Sequence, residues 1–147
     1  MLKKVRLKIE SVIDNLTPEG LPEGDAEKSV SECFGSLRIT DGQTNVTYTE
    51  KTESGDVHTM IICFDGQVNV MRSGAIESNL CFVEGETHSS IYSIPPYKFD
   101  ATVKTKRVRV AISESEGAID LIYNMTVGGA EKAARMKIWI SQASNQA

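Results

Sequence analysis

The sequence predicts an all-β protein, a single closed antiparallel meander barrel of about 8 to 10 strands, and three observations carry that prediction. Turn dipeptides built on glycine recur at Asp41-Gly42, Ser54-Gly55, Asp65-Gly66, Ser73-Gly74, Glu84-Gly85, Glu116-Gly117 and Gly128-Gly129, with Pro95-Pro96 filling one gap. Their spacing of roughly 8 to 13 residues is that of one strand plus one tight turn, and glycine suits such turns because it reaches positive φ at no steric cost. Between the turns, apolar residues alternate with polar ones at period two, the mark of strands with one buried face. About ten strands in one domain leave two edges to hide, and closure into a barrel removes both.

The first strand, about Lys3 to Ile13, sets Val5, Leu7 and Ile9 on one face and Arg6, Lys8 and Glu10 on the other. Residues 14–27 follow with Asp14, Glu19, Glu23, Asp25 and Glu27, two Pro-Glu-Gly units and no basic residue. Such a stretch buries no apolar stripe and reads as an acidic mobile loop, a solvated connection before a lid over the barrel mouth. Strands are expected at about 28–40, 44–52, 56–64, 67–72, 75–84, 87–94 and 97–104. Gly35 falls inside the first of these and marks a bulge or corner. Thr59 to Phe64 is apolar on both faces, as in a strand covered on each side.

One interval in the glycine series is twice the others, and phase locates what it hides. Phe99, Ala101 and Val103 take odd numbers on the apolar face, whereas Val108, Val110 and Ile112 take even ones, so a turn or a bulge lies across Thr105 to Arg107. Ile119, Leu121, Tyr123, Met125 and Val127 make a clear strand, and Gly128-Gly129 turns it into a last one carrying Met136, Ile138 and Ile140. Trp139 is out of phase with that core. The barrel is assigned residues 1–141, and 142–147 read as a disordered tail.

The 147 residues suffice for one domain that folds without staples. The three cysteines, Cys33, Cys63 and Cys81, have no paired spacing and read as buried thiols. No signal-peptide core or membrane-length apolar run is present, so a cytoplasmic setting is expected, in which the glycosylation-like triplets at Asn15, Asn45 and Asn124 have no consequence. A net charge of −4 disfavours nucleic acid as a partner. Lys98, Lys104, Lys106, Arg107 and Arg109, with Lys3, Lys4, Arg6 and Lys8 at the other end of the chain, read instead as solvated strand faces, since aromatics at stacking positions are few.

Chemistry-bearing residues are sparse. There are two histidines, His58 and His88, and no nucleophile elbow, zinc helix, P-loop or dinucleotide fingerprint. His88, Ser90 and Tyr92 share one strand face, which is either a polar patch inside the barrel or ordinary wet surface. Arg72 stands just before the Ser73-Gly74 turn, where its planar fork could clamp a carboxylate or phosphate, or pair with Glu77. Tyr97, after Pro95-Pro96, completes the candidate set.

The segment Val70-Met71-Arg72-Ser73-Gly74-Ala75-Ile76-Glu77-Ser78, with Phe82, Glu84-Gly85, Tyr92 and the tail from Val108 to Ile140, resembles the YwiB-like family of small uncharacterised bacterial proteins with a calycin-type, lipocalin-like β-barrel. An Arg-x-Gly turn, a strand ending Phe-x-x-Gly, a Tyr before a Pro-Tyr pair and a closing Ile-Tyr-Asn-Met hairpin recur there in this order. The resemblance spans about Met1 to Ile140. This chain reads Ile94-Pro95-Pro96-Tyr97-Lys98 where the family pattern has Thr-Pro-Tyr-Gly, which puts any role of that turn in doubt. The resemblance implies a closed antiparallel barrel in the cytoplasm and no established activity.

Together these readings favour noncatalytic binding of a small, partly apolar ligand inside the barrel, oriented by Arg72, His88, Ser90, Tyr92 and Tyr97. No cofactor, metal, nucleic acid or membrane is expected, and the protein is read as a monomer or homodimer. The alternatives are an interaction or structural module with a packed interior and, more weakly, a heme or small-molecule enzyme using His88.

Overall fold

The computed structural model describes residues 2–114 and 116–143. Period-two alternation builds ten strands: β1 (Leu2–Leu16), β2 (Pro22–Thr40), β3 (Gln43–Thr52), β4 (Gly55–Phe64), β5 (Gln67–Gly74), β6 (Ser78–Val83), β7 (Thr87–Ile94), β8 (Tyr97–Ser113), β9 (Glu116–Val127) and β10 (Ala130–Gln142). All pairings are antiparallel, in the order β6-β5-β4-β3-β2-β1-β10-β9-β8-β7. The two ends of the chain therefore pair with each other, and the sheet's open edges are β6 and β7, neighbours in sequence. Bent round on itself, it forms a nearly closed barrel.

The core follows the alternation. Val5, Leu7 and Ile9 on β1 meet Ile138 and Ile140 on β10, with Leu7 opposite Ile140 and Ile9 opposite Ile138. A second apolar row crosses the other wall in direct register, Leu37 to Val46 to Ile61 to Val70 to Leu80, all nearly or fully buried. Phe82 packs edge-on to Tyr123 with ring centroids 4.7 Å apart, joining the two walls.

Gly35 is a corner and not a bulge, since no register shift occurs there. β3 pairs with β2 only from Gly35 to Thr40, while β2 from Pro22 to Phe34 stays with β1 alone. A Cβ on Gly35 would lie 2.5 Å from the Thr47 carbonyl oxygen and 2.7 Å from Leu7 Cδ1, so the bend needs a residue with no side chain. The phase change in β8 is a bulge between Thr105 and Arg107.

Three expectations are corrected. Residues 14–27 are not a long loop: Asp14 to Leu16 extend β1, Pro22 to Glu27 open β2, and the turn is confined to the residues between, with Gly20 N–H donating to the Thr17 carbonyl at 2.8 Å. The acidic side chains stay largely in water, but β1 is already held by β10 as far as Asn15 opposite Lys132, and β2 needs only backbone bonds to continue that template. Gln142, read as tail, is the last residue of β10 and pairs with Val5; residues 144–147 lie outside the described residues. The outer face of β4 is uncovered, with Met60 and Phe64 exposed, whereas Thr59, Ile61 and Cys63 point inward. Among the thiols, Cys63 is buried and Cys33 and Cys81 are half-buried.

Two outcomes follow from this packing. Gly35→Ala should destabilise the protein by about 3 kcal/mol, because the clashing partners are backbone and a packed core methyl; a denaturation midpoint unchanged from wild type would remove the corner's steric basis. Burial pushes the Cys63 thiol from its ordinary 9.0 up to about 11. Its contribution is fully present below pH 9 and is lost as pH rises through 11, because the unfolded chain ionises first, a loss of about 2–3 kcal/mol. Urea titrations at pH 8 and 11 should show that slope in wild type and a shallower one in Cys63→Ala, in which the buried tyrosines and the half-buried Cys33 and Cys81, all raised by burial, still titrate late.

Candidate functional site

One end of the barrel interior is polar. The row next to the apolar one runs Tyr48 to Thr59 to Arg72 to Ser78, directly in register across β3, β4, β5 and β6. Because paired residues share a face, Arg72 points inward with Tyr48 and Thr59. On the far wall Thr105 faces Tyr123. Burial raises the pKa of the Tyr48 and Tyr123 phenols, and the Arg72 charge opposes that rise at both. Among the described residues no carboxylate forms an ion pair with it.

Among the described residues three buried hydroxyls have no hydrogen-bond partner: Thr59 Oγ1 and Ser78 Oγ in this row, and Thr105 Oγ1 on β8. Their residues are 3%, 8% and 2% exposed. Thr59 approaches the Tyr48 phenol, but not with a geometry that satisfies its own oxygen. A buried hydroxyl without a partner costs about 1–3 kcal/mol, so the two that flank Arg72 in register, Thr59 and Ser78, are an unusual expense for an interior that only has to pack.

The row ends at the seam between β6 and β7. Among the described residues this seam is held by backbone hydrogen bonds at its two ends. At one end Glu77 and Ser93 exchange backbone hydrogen bonds of 2.8 and 2.7 Å. At the other the β6–β7 turn docks on the β8 bulge: Gly85 N–H donates to the Thr105 carbonyl at 2.9 Å, Thr105 N–H to the Glu86 carbonyl at 3.1 Å, and Val108 N–H to Glu84 Oε1 at 3.1 Å. Between these clamps lies a slot. A cleft of about 740 Å³ at its upper part is lined by Arg72, Ser78, Ser90 and Lys98, with Glu77 as its carboxylate. A smaller one of about 410 Å³ lies below, where Leu80, His88, Ser90 and Val103 meet the outward-facing Asn69, Met71 and Cys81 of β5 and β6.

Of the residues singled out from sequence, four share the inner face. His88, Ser90 and Tyr92 pair with Val103, Ala101 and Phe99 of β8, two of them core residues, so their shared face is the interior one. Arg72 and Ser90 meet in the upper cleft. Ser90 and His88 share the lower one, where His88 Nε2 lies 2.9 Å from Glu86 Oε1. Tyr92 lies close enough to Tyr123 to raise its pKa. Tyr97 is 66% exposed and lines none of these clefts. Sequence reasoning missed Tyr48, Thr59, Ser78, Thr105 and Tyr123. Their signal was present, because each is a polar residue in phase with the core of its own strand, as Tyr48 is with Val46.

With this architecture in hand, residues 16–140 match the family described as "Domain of unknown function (DUF1934)". The chain belongs to that family. It is 27% identical over 124 residues, 84% of this chain and 82% of the other, to the "Uncharacterized beta-barrel protein YwiB" of Bacillus subtilis (strain 168). The crystal structure of the ywiB protein from Bacillus subtilis superposes with a TM-score of 0.85 at 25% identity, covering 97% of this chain and 94% of that one. The DUF1934 membership and the shared barrel agree with the resemblance read from the Arg72 turn and the closing hairpin.

Proposed function

We propose that this DUF1934 protein is a noncatalytic binding barrel that takes a small, partly apolar molecule through the β6–β7 slot and anchors its anionic or polar end at Arg72. The observation that carries this reading is the inward row Tyr48, Thr59, Arg72 and Ser78 with its unpartnered hydroxyls. A guanidinium without an ion-pair partner is a bidentate donor for a carboxylate or phosphate. The unpartnered hydroxyls can complete the shell, and Leu80 and Val103 offer apolar surface for the rest of the molecule. Few precisely placed polar groups in a mostly apolar cleft is the usual make-up of a small-molecule site.

The same features weigh against the rival readings. A purely structural module would gain stability by filling this end with apolar residues, as the adjacent row from Leu37 to Leu80 does. For an enzyme built on His88, the imidazole Nε2 is already engaged by Glu86 at 2.9 Å. The reading places the protein in the cytoplasm as a monomer or homodimer, and three free thiols suit a reducing compartment.

Native mass spectrometry of protein purified from its own host, compared with the denatured mass, tests the proposal. An excess over 16.1 kDa that is released on unfolding, and lost in Arg72→Gln, is expected. A bare chain from several growth conditions, or an adduct retained unchanged by Arg72→Gln, would contradict it.

A further inference from the structure

The outside of the barrel carries a second feature, independent of the interior. The chain is acidic overall, but β1, β10, β9 and β8 are consecutive in the sheet, and this order brings the basic segments from both halves of the chain onto one outer face. Lys4, Arg6 and Lys8 point outward from β1. Lys137 and Arg135 do so from β10, and Arg109 and Arg107 are in register with them across β9, through Asp120 and Ile122. Acidic groups there are outnumbered: Asp120, Glu10 and the exposed Glu32, which lies opposite Lys8, stand among seven cations. Asp120 holds Arg135 through two bonds of 3.2 and 3.0 Å, and Glu10 lies 3.9 Å from Lys8.

Two aromatic rings stand among these cations. Phe34 lies opposite Arg6 and is 54% exposed, with Lys4 Nζ 4.8 Å and Arg6 Cζ 5.5 Å from its ring centre. Trp139 lies opposite Lys8 on the other side of β1, with Lys8 Nζ at 5.4 Å and Lys137 Nζ at 4.8 Å. The rings are thus two strands apart and offset by two residues along β1, about 12 Å from each other given strand spacings of about 4.8 Å, so each can take a separate base. Phe34 is exposed and Trp139 half-buried, and each has two cations beside it, an excess of one sign that ordinary solvated faces, with both signs interspersed, do not show.

We propose that this face binds an unpaired nucleic-acid strand, with bases stacking on Phe34 and Trp139 and phosphates meeting the lysines and arginines of β1, β10 and β8. The charge complements a polyanion, and the rings select unpaired bases over a duplex, whose bases are already stacked. This replaces the expectation that nucleic acid is excluded. Net charge is a sum over the whole surface, and the acid of this chain is concentrated elsewhere, in the β1–β2 hairpin end with Glu19, Glu23, Asp25 and Glu27.

The test is fluorescence anisotropy of a labelled oligouridine dodecamer with the full chain at 50 and 200 mM salt. Trp139 is the only tryptophan, so its emission is a second readout. Binding should quench Trp139 and weaken roughly 50-fold between the two salts, as about four neutralised phosphates require. Phe34→Ala, at an exposed position, should weaken it roughly tenfold. Arg6→Glu should weaken it further, and Lys51→Glu, an equal charge change elsewhere, should leave it within about twofold. No binding at 50 mM salt overturns the proposal. So does equal affinity for the same sequence as a duplex or for heparin with Phe34→Ala silent, which would mark a nonspecific polyanion surface, and so does binding with Trp139 emission unchanged.

Discussion

The pairing of the two chain ends is the constraint on which the rest depends. β1 and β10 are separated by almost the whole sequence, yet they align over eleven residue pairs from Val5 opposite Gln142 to Asn15 opposite Lys132. That register puts Leu7 on Ile140 and Ile9 on Ile138, which is the core. A slip by one residue would turn every one of these side chains to the other face. With the ends joined, the sheet's free edges lie at the one consecutive pair of strands not laddered together, β6 and β7, and the slot lies there.

Closure at the ends also divides the interior. Rows that cross from β2 to β6 share the same curvature, but the one from Leu37 to Leu80 is filled with aliphatic side chains, and its neighbour from Tyr48 to Ser78 is polar. Gly35 stands at the head of the polar row, in register with Tyr48, and is also the corner where β2 departs from β3. The bend that shapes the barrel and the row that gives it chemical character thus meet at one residue. On the outside, the same β1–β10 junction collects cations and two rings from segments that are far apart in sequence.

The fold was legible because its signals are local. Glycine at the turns, period two along Val5 to Ile9 and Ile119 to Val127, and the phase slip at Thr105 to Arg107 each require only a dozen residues of sequence. Inward-facing Arg72 was harder, since a lone arginine near a turn reads as rim or surface until its strand partners Thr59 and Ser78 are known. The acidic hairpin was misread for a related reason. Composition describes what side chains can bury, whereas the backbone of Pro22 to Glu27 is held by a template strand that is itself held by β10. The two basic segments were legible in the sequence and were read as separate solvated faces, because they share a surface only after closure.

The central claim is that the barrel is joined at its chain ends and open between β6 and β7 except at two clamps. Residue-resolved amide hydrogen exchange reads this directly. The amides exchanged between β1 and β10 should be protected to the level of global unfolding, together with Glu77 and Ser93 at one clamp and Gly85 and Thr105 at the other, while the slot-facing amides of β6 and β7 between the clamps should exchange orders of magnitude faster. Uniform protection along β6 and β7 would mean a sealed barrel and would contradict the account.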